Sequence, residues 1–154
     1  MVETRIIDGP LPPIEVTLAQ LDAAGARDQS GAQLIFHGQV RGTEGGRSIT
    51  ALDYEAYDGM AQAELQSIAQ ETAHRFSIHH LLCLHRIGLV PVGEASLRVA
   101  IRSAHRAEAL QALAHFIDRL KDRVPIWKWG LTAEGERFPS EHRDGDHNLG
   151  LEHQ

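Results

Sequence analysis

Two lysines mark the stretch where chemistry is to be sought. The chain carries 15 Lys and Arg side chains, and only Lys121 and Lys128 are lysines. A chain that uses arginine almost everywhere else has two primary amines seven residues apart. Unlike a guanidinium, an amine can lose its proton on burial and serve as base or nucleophile. The surroundings are basic as well. From Arg102 to Lys128 six basic side chains face three acidic ones, in a chain of formal net charge −6. Such an island points to a localised anionic ligand, or to no more than a solvated helix face. Lys128 lies between Trp127 and Trp129, where partial desolvation would favour the neutral amine. Equally, the tryptophans could anchor the core while Lys128 points outward. Arg41, in F-H-G-Q-V-R-G, can fork onto a phosphate beside glycines that admit a ligand's approach. On these residues alone a charged strand end is the simpler reading. His105 and Arg106 open a helix, where a helix start favours anions but plain solvation of the first turn would also account for them. Lys121 near the helix end also suits the helix dipole without any catalytic role.

The elements that must position these residues follow from periodicity. Residues 4–7 read as a short strand, ended by Gly9-Pro10. Thr17 is placed as the cap of a helix reaching about residue 26. Residues 32–41 and 49–57 alternate and are expected to pair as a hairpin, joined by a flexible glycine-rich connection over residues 43–48. Asp58 is expected to cap a helix over residues 59–76. Residues 78–87 and 95–103 form strands joined by a short connection, hence an antiparallel pair. Ser103 is expected to cap the next helix, with Leu110, Leu113, Ile117 and Leu120 as its core stripe. Pro125 stops that helix, and residues 126–129 are a short apolar strand or loop. The reading is an α+β chain with one domain over residues 1–140. An acidic tail over residues 141–154 is expected to be mobile.

Composition narrows the function classes. Apolar content of 42% and charged content of 23% suit a globular protein with a core. No run approaches a membrane span, and the N-terminus lacks a secretory apolar core, so a cytoplasmic location is expected. The single cysteine, Cys83, excludes an internal disulfide and sits in a buried-looking L-L-C-L. Ten histidines are scattered without ligand spacing, so neither a metal nor another cofactor is expected. No nucleotide fingerprint is present, and a localised basic island does not make a nucleic-acid surface.

Five segments carry a resemblance. F-H-G-Q-V-R, L-D-Y-E-A-Y-D-G-M-A, H-R-I-G, S-A-H-R-A-E-A and L-K-D-R-V-P-I-W-K occur in the order and at the spacing of the MoaE family, the large catalytic subunit of molybdopterin synthase. The similarity runs from about Ile6 to Phe138. It implies an α/β hammerhead-type fold and a homodimer that becomes a heterotetramer with two small ubiquitin-like sulfur carriers. It implies that the carrier's C-terminal glycine thiocarboxylate converts cyclic pyranopterin monophosphate into the dithiolene of molybdopterin. By position, Lys121 resembles the family's key catalytic lysine and Lys128 its second active-site lysine. Gln39, Val40 and Arg41 resemble the first substrate-binding segment. His105 and Arg106 resemble the second, and Lys128, Trp129 and Gly130 the third. The chain departs from the pattern at Gly130, where W-K-x-E is usual.

Two other readings stay open on the sequence. One is a docking subunit that binds the carrier without turnover. The other is a module that binds a phosphorylated ligand and has no carrier partner. Because Arg106 and Lys121 lie 15 residues apart on one helix, the reading also expects a composite site, with the two lysines from one subunit and His105 and Arg106 from its mate.

Overall fold

The computed structural model describes residues 1–57 and 59–140. The expected cap Asp58 and the expected tail over residues 141–154 lie outside the described residues. In chain order the elements are β1 (Val2–Asp8), α1 (Ile14–Ala23), β2 (Ala32–Gln39), β3 (Thr43–Glu44), β4 (Arg47–Ser48) and β5 (Ala51–Ala56). They continue with α2 (Met60–Phe76), β6 (His80–Pro91), β7 (Ala95–Ser103), α3 (Arg106–Arg123), β8 (Ile126–Leu131) and β9 (Arg137–Pro139). The main sheet runs β2-β7-β6-β5-β8-β9, antiparallel throughout, and β1 joins β6 in parallel. The α+β reading is therefore correct. Among the described residues no helix is long and apolar enough to cross a membrane.

Alternation in β6 and β7 decides how the layers form. Leu81, Cys83, Val99 and Ile101 face α2 and α3 and are fully buried with Leu65, Ile68, Ala112 and Phe116. The intervening Leu82, Leu84 and Ala100 point to the other face and meet Leu21 of α1. Arg98 and Arg102 share that second face and are buried too. Burial of a guanidinium demands partners. Arg98 donates to Thr17 Oγ1 at 2.8 Å and to His37 Nε2 at 2.7 Å, and Arg102 donates to Gln33 and Asp22, each at 2.8 Å. These bonds tie α1 and β2 to β7.

Several local expectations are corrected. Helix α1 starts right after Pro13, where a missing N–H costs nothing, and Thr17 is an interior residue occupied by Arg98. Ser103 ends β7 and donates to the His105 carbonyl, while His105 is the helix cap residue, with extended φ and ψ. The buried stripe of α3 is Ala109, Ala112, Phe116 and Leu120, whereas Leu110 is 53% exposed and Leu113 and Ile117 flank the core. The two alanines let the helix approach the sheet closely, and that rotates the stripe by one position relative to the leucine pattern. Strands β2 and β5 do not form a hairpin: β2 pairs with β7, and β5 with β6 and β8. Alternation assigns faces to a strand and leaves its neighbour open. The connection between them is itself ordered as the two-strand ribbon β3–β4. Gly88, at φ +86°, sits where β6 leaves β1 and takes up β5. Strand β6 thus has two neighbours in succession along one edge.

Candidate active site

The end of β2, the tip of β3, the middle of β5 and β6, the last turn of α3 and the start of β8 converge on one cavity of about 250 Å³. Gln39, Val40 and Arg41 enter from β2 and the residues after it, Lys121 from α3, and Lys128 from β8. Five of the sequence-derived site residues, both lysines among them, thus line one space. Lys121 is brought there by the α3 stripe, since Leu120 is core and Lys121 is the next residue around the helix. Lys128 is placed by the β5–β8 pairing, directly opposite Tyr54. Pro125 ends α3, and Val124 and Ile126 turn the chain back along the cavity wall.

Four other polar residues line the cavity and were not singled out from sequence: Glu44, Tyr54, His85 and Ser96. Glu44 Oε2 is 3.4 Å from Lys128 Nζ. The Tyr54 and His85 rings meet edge to face, with centroids 5.5 Å apart. His85 Nδ1 is 2.8 Å from the Arg86 carbonyl, which can only accept, so Nδ1 carries the proton and Nε2 is the acceptor nitrogen. Burial pushes His85 down to about 4, aided by the positive charges of Lys121 and Lys128 and opposed by the Arg86 bond. The imidazole is therefore neutral beside the amines. Burial also raises the Tyr54 hydroxyl above its usual value. His85 lies in H-R-I-G and Tyr54 in L-D-Y-E-A-Y, segments that marked the resemblance without indicating these contributions. For Glu44 the sequence held no signal, because a glycine-rich connection conceals its partner.

The remaining predicted residues lie elsewhere on the chain. His105 and Arg106 start α3, while Lys121 lies in its last turn, about 22 Å away at 1.5 Å per residue. The His105 side chain is 81% exposed, and its Nδ1 is 3.8 Å from Glu108. Trp129 faces away from Lys128, as alternation requires. Its indole donates to Glu55 at 3.2 Å and lies under the Arg137 guanidinium. Gly130 shares the Lys128 face of β8 but meets β9 and not the cavity. A Cβ there would stand 2.7 Å from Cε1 and 2.9 Å from Cε2 of Phe138, and closer still to Cζ. Glycine at this position is what lets the Phe138 ring lie flat on β8.

Comparison with known proteins fits this geometry. The family model described as "MoaE protein" matches residues 13–123, a span that includes Lys121. The molybdopterin synthase catalytic subunit of Bos taurus is 45% identical over 104 residues, covering 68% of this chain and 55% of that protein. The chain thus spans little more than half the length of this mammalian relative. The catalytic subunit of Salmonella typhimurium is 38% identical over 149 residues, covering 97% of each chain. Among solved structures, the complex of subunits 1 and 2 of molybdopterin-converting factor from Helicobacter pylori superposes with a TM-score of 0.70 at 27% identity, covering 91% of each chain. On the matched segment and the near full-length bacterial similarity, the chain belongs to the MoaE family.

Proposed function

We propose that the chain is the catalytic subunit of a molybdopterin synthase. In this reading it transfers sulfur from the C-terminal glycine thiocarboxylate of a small carrier to cyclic pyranopterin monophosphate, and two transfers build the dithiolene. The observation that carries the reading is the meeting of both lysines of the chain in one cavity with Arg41. Sulfur arrives on the partner, so the fully buried Cys83, whose thiol burial holds far above its usual value, takes no part. Lys121 would act as general base or transient amine, and Lys128 would hold developing negative charge. Arg41 offers a fork to the phosphate, with Gln39 and Val40 lining its approach. Neutral His85 would accept a hydrogen bond without adding positive charge. The relatives' names and the two-subunit Helicobacter assembly support the assignment and the partner class.

His105 and Arg106 enter this scheme only through a second copy of the chain. A two-fold dimer could bring the start of one α3 to the end of its mate, completing a phosphate site at the cavity mouth. The function is tested by incubating the protein with the cyclic precursor and thiocarboxylated carrier and detecting the dithiolene product. Product formation supports the enzyme. Carrier capture without product would identify a docking subunit, and neither would leave a phospho-ligand module.

A further inference from the structure

We propose that Glu44 is a positioning residue for Lys128, its carboxylate fixing the ammonium at the cavity wall. The inference rests on the sulfur-transfer reading of the cavity and adds a residue to it. It begins with the β3–β4 ribbon. Gly45 and Gly46 hold φ of +60° and +78°, the backbone a tight two-residue turn requires. That turn sets Glu44 opposite Arg47, yet the two go separate ways. Arg47 reaches Glu136 at 2.6 Å near the surface. The Glu44 side chain is only 12% exposed and lines the cavity, where it is the one carboxylate among the described residues.

A carboxylate so enclosed must find donors. Ser140 Oγ donates to Glu44 Oε2, and Lys128 Nζ lies 3.4 Å from the same oxygen. Ser140 is itself held by its backbone N–H, which donates to the Lys128 carbonyl at 3.0 Å. Lys128, Ser140 and Glu44 therefore close a ring of three contacts around the amine. The Lys128 face of β8 has no carboxylate of its own. Two residues on, Gly130 has no side chain, and Phe138 fills that space with the Arg47 guanidinium 4.2 Å above its ring. The ribbon that seals Phe138 is thus the ribbon that supplies the acid. Without that acid, the long Lys128 stem would sample several rotamers.

The test is the isosteric substitution Glu44→Gln, with Glu44→Asp as the charge-retaining control. In the sulfur-transfer assay kcat falls on the order of tenfold, as expected when a reacting group loses its alignment. KM for the anionic precursor does not rise, because a negative charge has left the cavity. Glu44→Asp recovers part of kcat. An unchanged kcat, or a fall with a raised KM and no recovery in Glu44→Asp, overturns the proposal. A second measurement needs no turnover. Reductive methylation with ¹³C-formaldehyde keeps the lysine charge and labels only Lys121, Lys128 and the N-terminus. The Lys128 signal moves in Glu44→Gln while the Lys121 signal stays. An unmoved Lys128 signal overturns the proposal whether or not the wild type makes dithiolene, and wild-type turnover separately decides the sulfur-transfer reading.

Discussion

Arg106→Ala and Lys121→Ala should each abolish turnover, and a mixture of the two inactive proteins should recover it. The reason is geometric. Helix α3 is unbroken from Arg106 to Arg123. Fifteen residues separate Arg106 from Lys121, so they stand about 22 Å apart along the axis and about 60° apart around it. One phosphate cannot bridge that span within a subunit. If His105 and Arg106 act, they act on the cavity of a mate. Random exchange of equal amounts gives about half heterodimers, each with one intact site of two, so the expected recovery is roughly a quarter of wild-type activity. Differential tags verify the heterodimer fraction, and dithiolene formation is the readout. Heterodimers that stay dead would refute the shared site. So would full activity of Arg106→Ala alone, which would remove the helix start from catalysis.

Two further outcomes concern stability. Gly130→Ala should cost about 1–3 kcal/mol, the usual range for forcing a methyl into a filled space, because its Cβ would displace the Phe138 ring. An unchanged urea midpoint would show that β9 does not hold Phe138 on β8. Acid should also weaken the fold. His85 is held neutral down to about 4 when folded but takes a proton near 6.5 when unfolded, so the unfolded chain binds more protons between these values. Its contribution, roughly 3 kcal/mol over that window, is present above about pH 6.5 and is lost as pH falls toward 4. His37, His80 and His115, lowered chiefly by burial, act in the same sense. Equal denaturant midpoints at about pH 7 and about pH 4.5 would refute this reading of the buried imidazoles.

Much of the architecture was legible because alternation and helical spacing report which side of an element is buried. The antiparallel pairing of residues 78–87 with 95–103 and the placement of Lys121 and Lys128 on opposite sides of Pro125 both follow from the sequence. What escaped depended on distant partners. The stripe of α3 was misplaced because alanines, weak in any hydrophobic pattern, allow the closest packing on the sheet. The strand at residues 49–57 alternates equally well beside any neighbour, so its pairing with β6 and β8 was not readable. Thr17 and Ser103 look like helix caps in isolation and are taken by Arg98 and by the His105 carbonyl. Glu44 was hidden for the same reason, since its partners Lys128 and Ser140 are more than eighty residues away. His85 carried no distinguishing mark among ten histidines until burial and the Arg86 carbonyl set its tautomer.

The central claim is that an amine at position 121 carries out the chemistry, and Lys121→Arg tests it most directly. Arginine keeps the positive charge and reaches at least as far, but it stays protonated and offers no free amine. Wild-type and variant proteins are incubated with the cyclic precursor and thiocarboxylated carrier, and the dithiolene is quantified alongside carrier binding. The account predicts that the variant still binds the carrier and forms product at less than about a hundredth of the wild-type rate, the scale of losing a positioned acid–base group. Turnover near the wild-type level in Lys121→Arg would contradict it and leave position 121 a purely electrostatic role.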